Sequence, residues 1–350
     1  MFAYIGGYTT PDRDGRGNGI NVFRVDPVNG AWSHLQHLGD LENPSLFTLN
    51  RAGTHLYTVH GGRRLLSAFA IDRSTGRLTL LNQVDCDGTN PVDSALDPTE
   101  RYLVVANYGS GAVAVVPLDI EGRLQPVSQV FRLEGRPGPN PKEQSSSHPH
   151  AVIFDPTGRF VIVPDKGLDR TFLFRFTDGA ITPTEQASVA SAPGAAPRHT
   201  TFHPTLQVLY VNNELDSTVT VFDWDDGSVA ERQIIRTVPS DYTGHNTTAE
   251  IVASPDGRHL YVSNRGQDSI VRFDIEPATG LLTYATCVPT GGKRPRFFTL
   301  NPTATHLYVG NQDSDLITTF HIDEPTGSLI STGVTISVGS PSAISFVPAP

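Results

Sequence analysis

Six times along this chain an apolar strand ends at Asn, Asp, His or Ser beside a proline or its counterpart, and a second apolar strand follows within two to five residues. The copies span 43–60, 90–107, 148–165, 196–213, 247–264 and 294–311. A seventh is split, for the chain opens on its second half (MFAYIGG, 1–7) and closes on its first half (SPSAISFVPA, 340–349). The second-strand residues Tyr4, Tyr57, Val104, Ile162, Tyr210, Tyr261 and Tyr308 recur every 47 to 58 residues, the length of a four-stranded propeller blade. A third strand follows each, as in LLSAFAID (65–72) or TVTVFDWD (218–225), and then a weaker fourth, as in GRLTLLNQV (76–84). Turns such as DPVNG, DPTG, SPDG and EPATG separate the strands.

The pattern predicts an all-β, seven-bladed β-propeller with four antiparallel strands per blade, and residues 1–350 as one domain. The ring should close through the C-terminal strand 341–348, pairing as the innermost strand of the blade built from residues 2–38. An open solenoid would carry capping repeats in place of a split one.

Composition narrows the function. No apolar run reaches 18 residues, so no membrane span is expected. The first residues lack the basic start and apolar core of a signal peptide, which points to the cytoplasm. Cys86 and Cys287 fit no metal or disulfide spacing and read as buried thiols. A net charge of −10 with no basic stripe argues against nucleic acid as a partner. Asp12-Arg-Asp14-Gly15 fails as a calcium loop, because Phe23 stands where the bidentate carboxylate belongs. His148-Pro-His150 lacks a third ligand at short spacing, and no P-loop or Gly-x-Ser-x-Gly elbow occurs. Neither metal nor cofactor is expected, and a monomer is the default.

Equivalent positions of the copies should be alike if the repeat is purely structural. They are not. Ser45, Val92, His150, Arg198, Ala249, Arg296 and Ser342 begin the seven inner strands. Tyr8, Gly61, Tyr108, Lys166, Glu214, Arg265 and Gln312 follow the seven second strands. Antiparallel pairing brings both rings to one side of the disc. His150, Arg198, Glu214, Lys166, Arg265 and Arg296 crowd one arc, facing Ser45, Gly61 and Val92 across the mouth. Pairing among themselves is one explanation. Three or four cations against Glu214 and Glu250 leave positive charge over, which favours a small anionic ligand. The Pro/Gly/Ser-rich segment 132–150 leads directly to His150, either as a lid or as a plain surface excursion.

The stretches YLVVANYGSGAVAVVPLD, HPHAVIFDPTGRFVIVPDKGLDR, PRHTTFHP, VNNELDSTVTVFD and NTTAEIVASPDGRHLYVSNRGQDSI carry a resemblance along essentially the whole chain. It is to the seven-bladed lactonase family that includes one class of bacterial 6-phosphogluconolactonase and the fungal 3-carboxy-cis,cis-muconate lactonizing enzyme. The resemblance implies an active site of one histidine, two arginines and a glutamate at a channel mouth. They fall on His150 in HPHAV, Arg198 in PRH, Glu214 in NNELDS and Arg265 in SNRGQDS. The chain departs from the family pattern at His60-Gly61 and at Lys166, positions that bear on substrate choice.

The expected activity is metal-independent hydrolysis of an aldono- or phosphoaldonolactone. Arg198 and Arg265 would hold the anionic group and the carbonyl oxygen. His150, with an ordinary pKa near neutrality, would move the proton. Glu214 would orient an arginine or carry a second proton. Lys166, Arg296, Gln312 and Glu250 complete the expected substrate contacts. The same residues suit a muconate-type cycloisomerase run in the opposite sense. A non-catalytic propeller that binds a protein partner would instead need an apolar rim.

Overall fold

A computed structural model describes residues 1–26 and 30–349. The middle of the DPVNG turn lies outside them. The described residues form seven four-stranded antiparallel sheets around a central channel, and six are contiguous in sequence. The seventh, blade 1, is composite. Strand Pro341–Val347 pairs with Phe2–Gly7, matching Phe2 to Val347 and Ile5 to Ile344. Strands Ile20–Val25 and Trp32–Leu38 complete it. Blades 2 to 7 follow in order, beginning at Pro44, Pro91, Ile153, Pro197, Thr247 and Pro295.

The repeated motif has a local cause. The side chain ahead of the proline position turns back and accepts the first amide of the second strand. Asn50 takes the His55 amide at 2.9 Å, Asp97 that of Tyr102 at 2.8 Å, and Asp155 that of Phe160 at 2.8 Å. Asn301 and the Ser254 hydroxyl do the same for His306 and His259, both at 2.9 Å. Asx-type bonding of this kind fixes a tight reversal between two strands. The prolines that open inner strands (Pro44, Pro91, Pro197, Pro295, Pro341) occupy first residues of edge strands, where the missing N–H costs no ladder bond.

Between blades the contacts repeat as well. Among the described residues seven apolar clusters occur, one at each blade interface; the cluster closing the ring joins Ala3, Ile5, Ile344 and Phe346 to Tyr308 and Ile336 of blade 7. The second-strand tyrosines reach across these interfaces. Tyr4, Tyr57, Tyr210 and Tyr261 donate to the carbonyls of Gly76, Gly122, Gly280 and Gly327 in the next blade, at 2.8 to 3.0 Å. Val104 and Ile162, the apolar members of that aligned set, interrupt the series at blades 3 and 4.

Deleting residues from 340 onward removes the inner strand of blade 1 together with buried Ala343, Ile344, Phe346 and Val347. Each large apolar side chain contributes about 1.5–3 kcal/mol, against roughly 5–15 kcal/mol for a whole domain. The shortened chain should be insoluble or lack a cooperative thermal transition by circular dichroism. A cooperatively melting 1–339 fragment would contradict closure by this strand.

Candidate active site

Register shifts mark the entry of the innermost strands. In blade 2, Pro44 pairs with His60 and Leu46 with Val59, leaving Ser45 unpaired. Val92, Arg198, Arg296 and Ser342 are displaced in the same way. A bulge breaks the ladder and re-aims the side chain, and its consequence is visible here. Consecutive residues Ser45/Leu46, Arg198/His199 and Arg296/Phe297 line one narrow void on the axis, although successive side chains of a regular strand point to opposite faces. Five of these strands are entered through a left-handed residue just before the proline, namely Asn43, Asn90, Ala196, Arg294 and Ser340. For Ala196 and Arg294 that backbone costs roughly 1–2 kcal/mol each.

The channel has two mouths and a waist. The front mouth is a cavity of about 670 Å³ lined by seven Lys or Arg side chains and four carboxylates, with His150 and Tyr108 among the uncharged groups. The waist is a void of about 20 Å³ bounded by Tyr8, Ser45, Val92, His150, Arg198, His199, Glu250 and Arg296. Behind it lies a rear cavity of about 710 Å³ with five carboxyls and one cation, Arg51. The larger cavity is thus not the one where the predicted site residues converge.

Glu214 is the hub of the front mouth. It follows strand Val208–Asn213 and is buried. Its Oε1 lies 2.9 Å from Lys166 Nζ and 3.2 Å from an Arg265 nitrogen, and its Oε2 lies 3.0 Å from Arg198 Nε. Burial alone would raise its pKa, but Arg265, Lys166 and Arg198 together hold it well below the usual carboxylate range. Lys166 also donates to Glu143 at 2.5 Å, and its ammonium is held above its ordinary value because these carboxylates outweigh burial.

The two arginines differ in access. Arg198 is 2 % exposed, lines only the waist and donates to the Ala249 carbonyl. Burial first, and then the Arg265 charge, pull it down to about 9, so it stays cationic at neutral pH. Arg265 lines the mouth and donates to the Thr248 carbonyl at 2.5 Å. Of the two arginines expected to hold substrate, Arg265 thus lines the front mouth, and Arg198 lies beneath it. Arg296 lines mouth and waist alike and enters no ion pair among the described residues.

His150 also lines both cavities, packed edge-on to Tyr108 at 5.6 Å between ring centroids. Its pKa is not near neutrality as expected. Burial, then Arg198, His199, Arg296 and Lys166, push it well below the ordinary value, so the imidazole is neutral at pH 7. His148 stacks flat on Tyr108 at 4.4 Å, which accounts for the first histidine of HPH without a metal role. Segment 132–150 closes one side of the mouth through Asn140, Lys142 and Glu143. Gln144 pins it, donating to the Lys166 carbonyl at 2.9 Å and to Asp169 at 2.6 Å.

Gln312 and Glu250, both expected to touch substrate, do not line the front mouth. Gln312 is buried, and its main-chain carbonyl accepts from Arg16 at 2.7 Å. Glu250 faces the waist and the rear cavity. Sequence reasoning passed over Tyr8, although its ring of equivalents included it. The guanidinium carbons of Arg13 and Arg296 each lie 5.2 Å from the Tyr8 ring centre. Burial would raise this phenol, but Arg296, Arg13 and Arg198 outweigh it and lower its pKa. His199 and Asp93 were also missed. They occupy, with Glu250, the position one residue beyond the inner ring.

The fold is a seven-bladed propeller whose front mouth gathers seven cations around a buried histidine. Comparison with known proteins narrows the class. Residues 2–346 match the family model described as lactonase, 7-bladed beta-propeller, and the chain belongs to that family. It is 34% identical over 304 residues to a 6-phosphogluconolactonase of Bacillus subtilis, covering 85% of this chain and 84% of that one. A 6-phosphogluconolactonase of Formosa agariphila is 29% identical over 303 residues, covering 81% and 83%. Among solved structures, the periplasmic gluconolactonase PpgL of Pseudomonas aeruginosa superposes with a TM-score of 0.92 at 31% identity, covering 100% of this chain and 99% of the other.

Glu214→Gln should strand two buried cations, Arg198 and Arg265, without a counter-charge and leave Lys166 to Glu143 alone. Breaking such a buried pair costs about 3–5 kcal/mol, to be read from urea unfolding of the variant against wild type. A loss below about 1 kcal/mol would mean that the cluster is solvated.

Proposed function

We propose that the protein is a metal-independent lactonase that hydrolyses an anionic sugar lactone, an aldonolactone or its phosphorylated form, at the front mouth. The observation that carries this reading is the neutral, buried His150 beside Arg296, a cation that no carboxylate neutralises among the described residues. Water held by His150 gives up a proton as its oxygen adds to the lactone carbonyl carbon. The oxyanion that develops is stabilised by Arg265 and Arg296. When the ring C–O bond breaks, His150 returns the proton to the leaving alkoxide. Glu214, kept ionised by three cations, cannot carry protons near neutral pH and serves to orient Arg198, Arg265 and Lys166. Arg13, on the Tyr8 ring, suits a phosphate or carboxylate at the far end of the substrate.

Hydrolysis is favoured over lactonization of a muconate, since the latter needs an acid to protonate carbon and His150 is held in its weakly acidic neutral form. A protein-binding role finds less support. The exposed large apolar residues Leu80, Ile120, Val130, Ile234 and Ile330 are scattered over separate strands and turns. We place the enzyme in the cytoplasm as a monomer, a setting that suits the free thiols Cys86 and Cys287.

The test is proton release from a panel of sugar lactones, with and without phosphate, in the presence of a chelator. Turnover should persist under chelation and fall about 10²–10⁴-fold in His150→Ala; no turnover on any lactone would refute the reading. The pH profile carries a sign. Because the pKa of His150 lies below its ordinary value, the active neutral form persists as pH falls through about 6.5. kcat/KM, corrected for spontaneous hydrolysis, should therefore stay flat there and drop only at lower pH. A limb centred on the ordinary histidine value would remove His150 as the base.

A further inference from the structure

Lactone hydrolysis at neutral pH releases one net proton. Water's oxygen joins the carbonyl carbon, the ring C–O bond breaks, and one water proton ends on the new hydroxyl group. The other is shed when the product carboxylic acid ionises to the carboxylate. That proton arises in a mouth lined by seven cations and occupied by substrate or product.

A path leads the other way. The Nδ1 atom of His150 is buried and unpartnered among the described residues, as is Oε2 of Glu250. Both residues border the waist void of about 20 Å³, and a polar void of roughly 10–15 Å³ already holds one water. The His199 ring lies in the same void with its centroid 5.2 Å from that of His150. His199 Nδ1 is 2.9 Å from Oε1 of Glu250, which also accepts the Ile251 amide at 3.1 Å. His199 and Glu250 then continue into the rear cavity, where five carboxyls face a single cation. The charge gradient along the channel runs from positive to negative, the direction in which a proton moves.

We propose that His199 and Glu250 form a proton relay that takes the product proton from His150 through the waist of the propeller to the rear cavity, so that substrate enters by one face and the proton leaves by the other. The proposal rests on the lactonase reading above. In each turnover His150, having returned its first proton to the alkoxide, accepts the second from the new carboxyl group. It passes this proton on through the waist to the His199–Glu250 pair and becomes neutral again. Arg198, Arg296, Lys166 and Tyr8 surround His150, and the three cations oppose its staying protonated. Asp93, in the rear cavity with Glu250, is raised to about 8, chiefly by burial and further by the Glu250 charge, against bonds from the Val152 and Ser94 amides. Its carboxyl therefore changes protonation near neutral pH at the wall of the rear cavity. Neither His199 nor Glu250 lines the mouth that holds the substrate. They are relay residues, and their loss should leave KM unchanged.

The experiment is steady-state turnover of glucono-δ-lactone and its 6-phosphate by wild type, Glu250→Gln and His199→Gln, each in dilute and in concentrated imidazole buffer. The relay predicts that kcat of both variants falls at least about tenfold in dilute buffer, with KM unchanged. It further predicts that concentrated imidazole, small enough to enter the rear cavity, restores most of the loss. Wild type should show little dependence on buffer. A full kcat in dilute buffer for either variant overturns the relay and leaves proton exit to the front mouth. A loss that imidazole does not rescue overturns it too and marks the pair as structural. If one variant fails to fold, the other decides. Absence of turnover by wild type on every lactone is a different failure, that of the lactonase reading itself.

Discussion

A sheet edge facing a channel offers only alternating side chains and a row of main-chain groups, which is too little to build a polar site. The displacement at the second residue of the inner strands changes that. Where Pro197 pairs with Asn213 and His199 with Asn212, Arg198 is left out of the ladder. It and its neighbour then both reach the axis. Repeated around the ring, this irregularity yields two concentric sets of side chains at different depths. One contains His150, Arg198 and Arg296, and the deeper one contains Asp93, His199 and Glu250. The positive φ at Ala196 and Arg294 is the local strain that accompanies this delivery.

One buried carboxylate ties the displaced Arg198 to two cations that follow second strands. Glu214 binds Lys166, Arg198 and Arg265 at once, within 2.9 to 3.2 Å. Burial first, and then Arg198, His199, Arg296 and Lys166, lower the pKa of His150 and leave that imidazole free to accept a proton. The propeller supplies the rigidity this needs. Interface clusters and the tyrosine-to-glycine hydrogen bonds hold neighbouring blades in register, so groups from four blades meet with little reorganisation. Family membership across residues 2–346 agrees with this arrangement.

Much of this was legible in the sequence because a repeat exposes its own exceptions. The split copy foretold the pairing of Phe2–Gly7 with Pro341–Val347. Comparing seven equivalent positions brought out His150, Lys166, Glu214, Arg265 and Arg296, which the fold gathers at one mouth. Depth was not legible. Arg198 and Arg296 hold the same position in their blades, yet one is sealed beneath the mouth and the other opens into it. A one-residue displacement decides which neighbours reach the axis, and no residue type announces it. Asp93, His199 and Glu250 stand one step beyond the inner ring, and that step was the available signal. The low pKa of His150 was equally hidden, since it depends on burial and on four cationic or titratable neighbours, Lys166, Arg198, His199 and Arg296, drawn from three blades.

The most direct test of the central claim, that unequal residues at equivalent positions build one anion site at the front mouth, is a crystal structure with a bound aldonate product. The carboxylate should lie within hydrogen-bond reach of Arg265 or Arg296, with His150 at the carbon that water attacks. Arg198 should remain bonded to Glu214 and to the Ala249 carbonyl, out of contact with the ligand. An aldonate seated in the rear cavity, or at the front mouth with His150 and Arg296 turned away from it, would rule out the front mouth as the anion site.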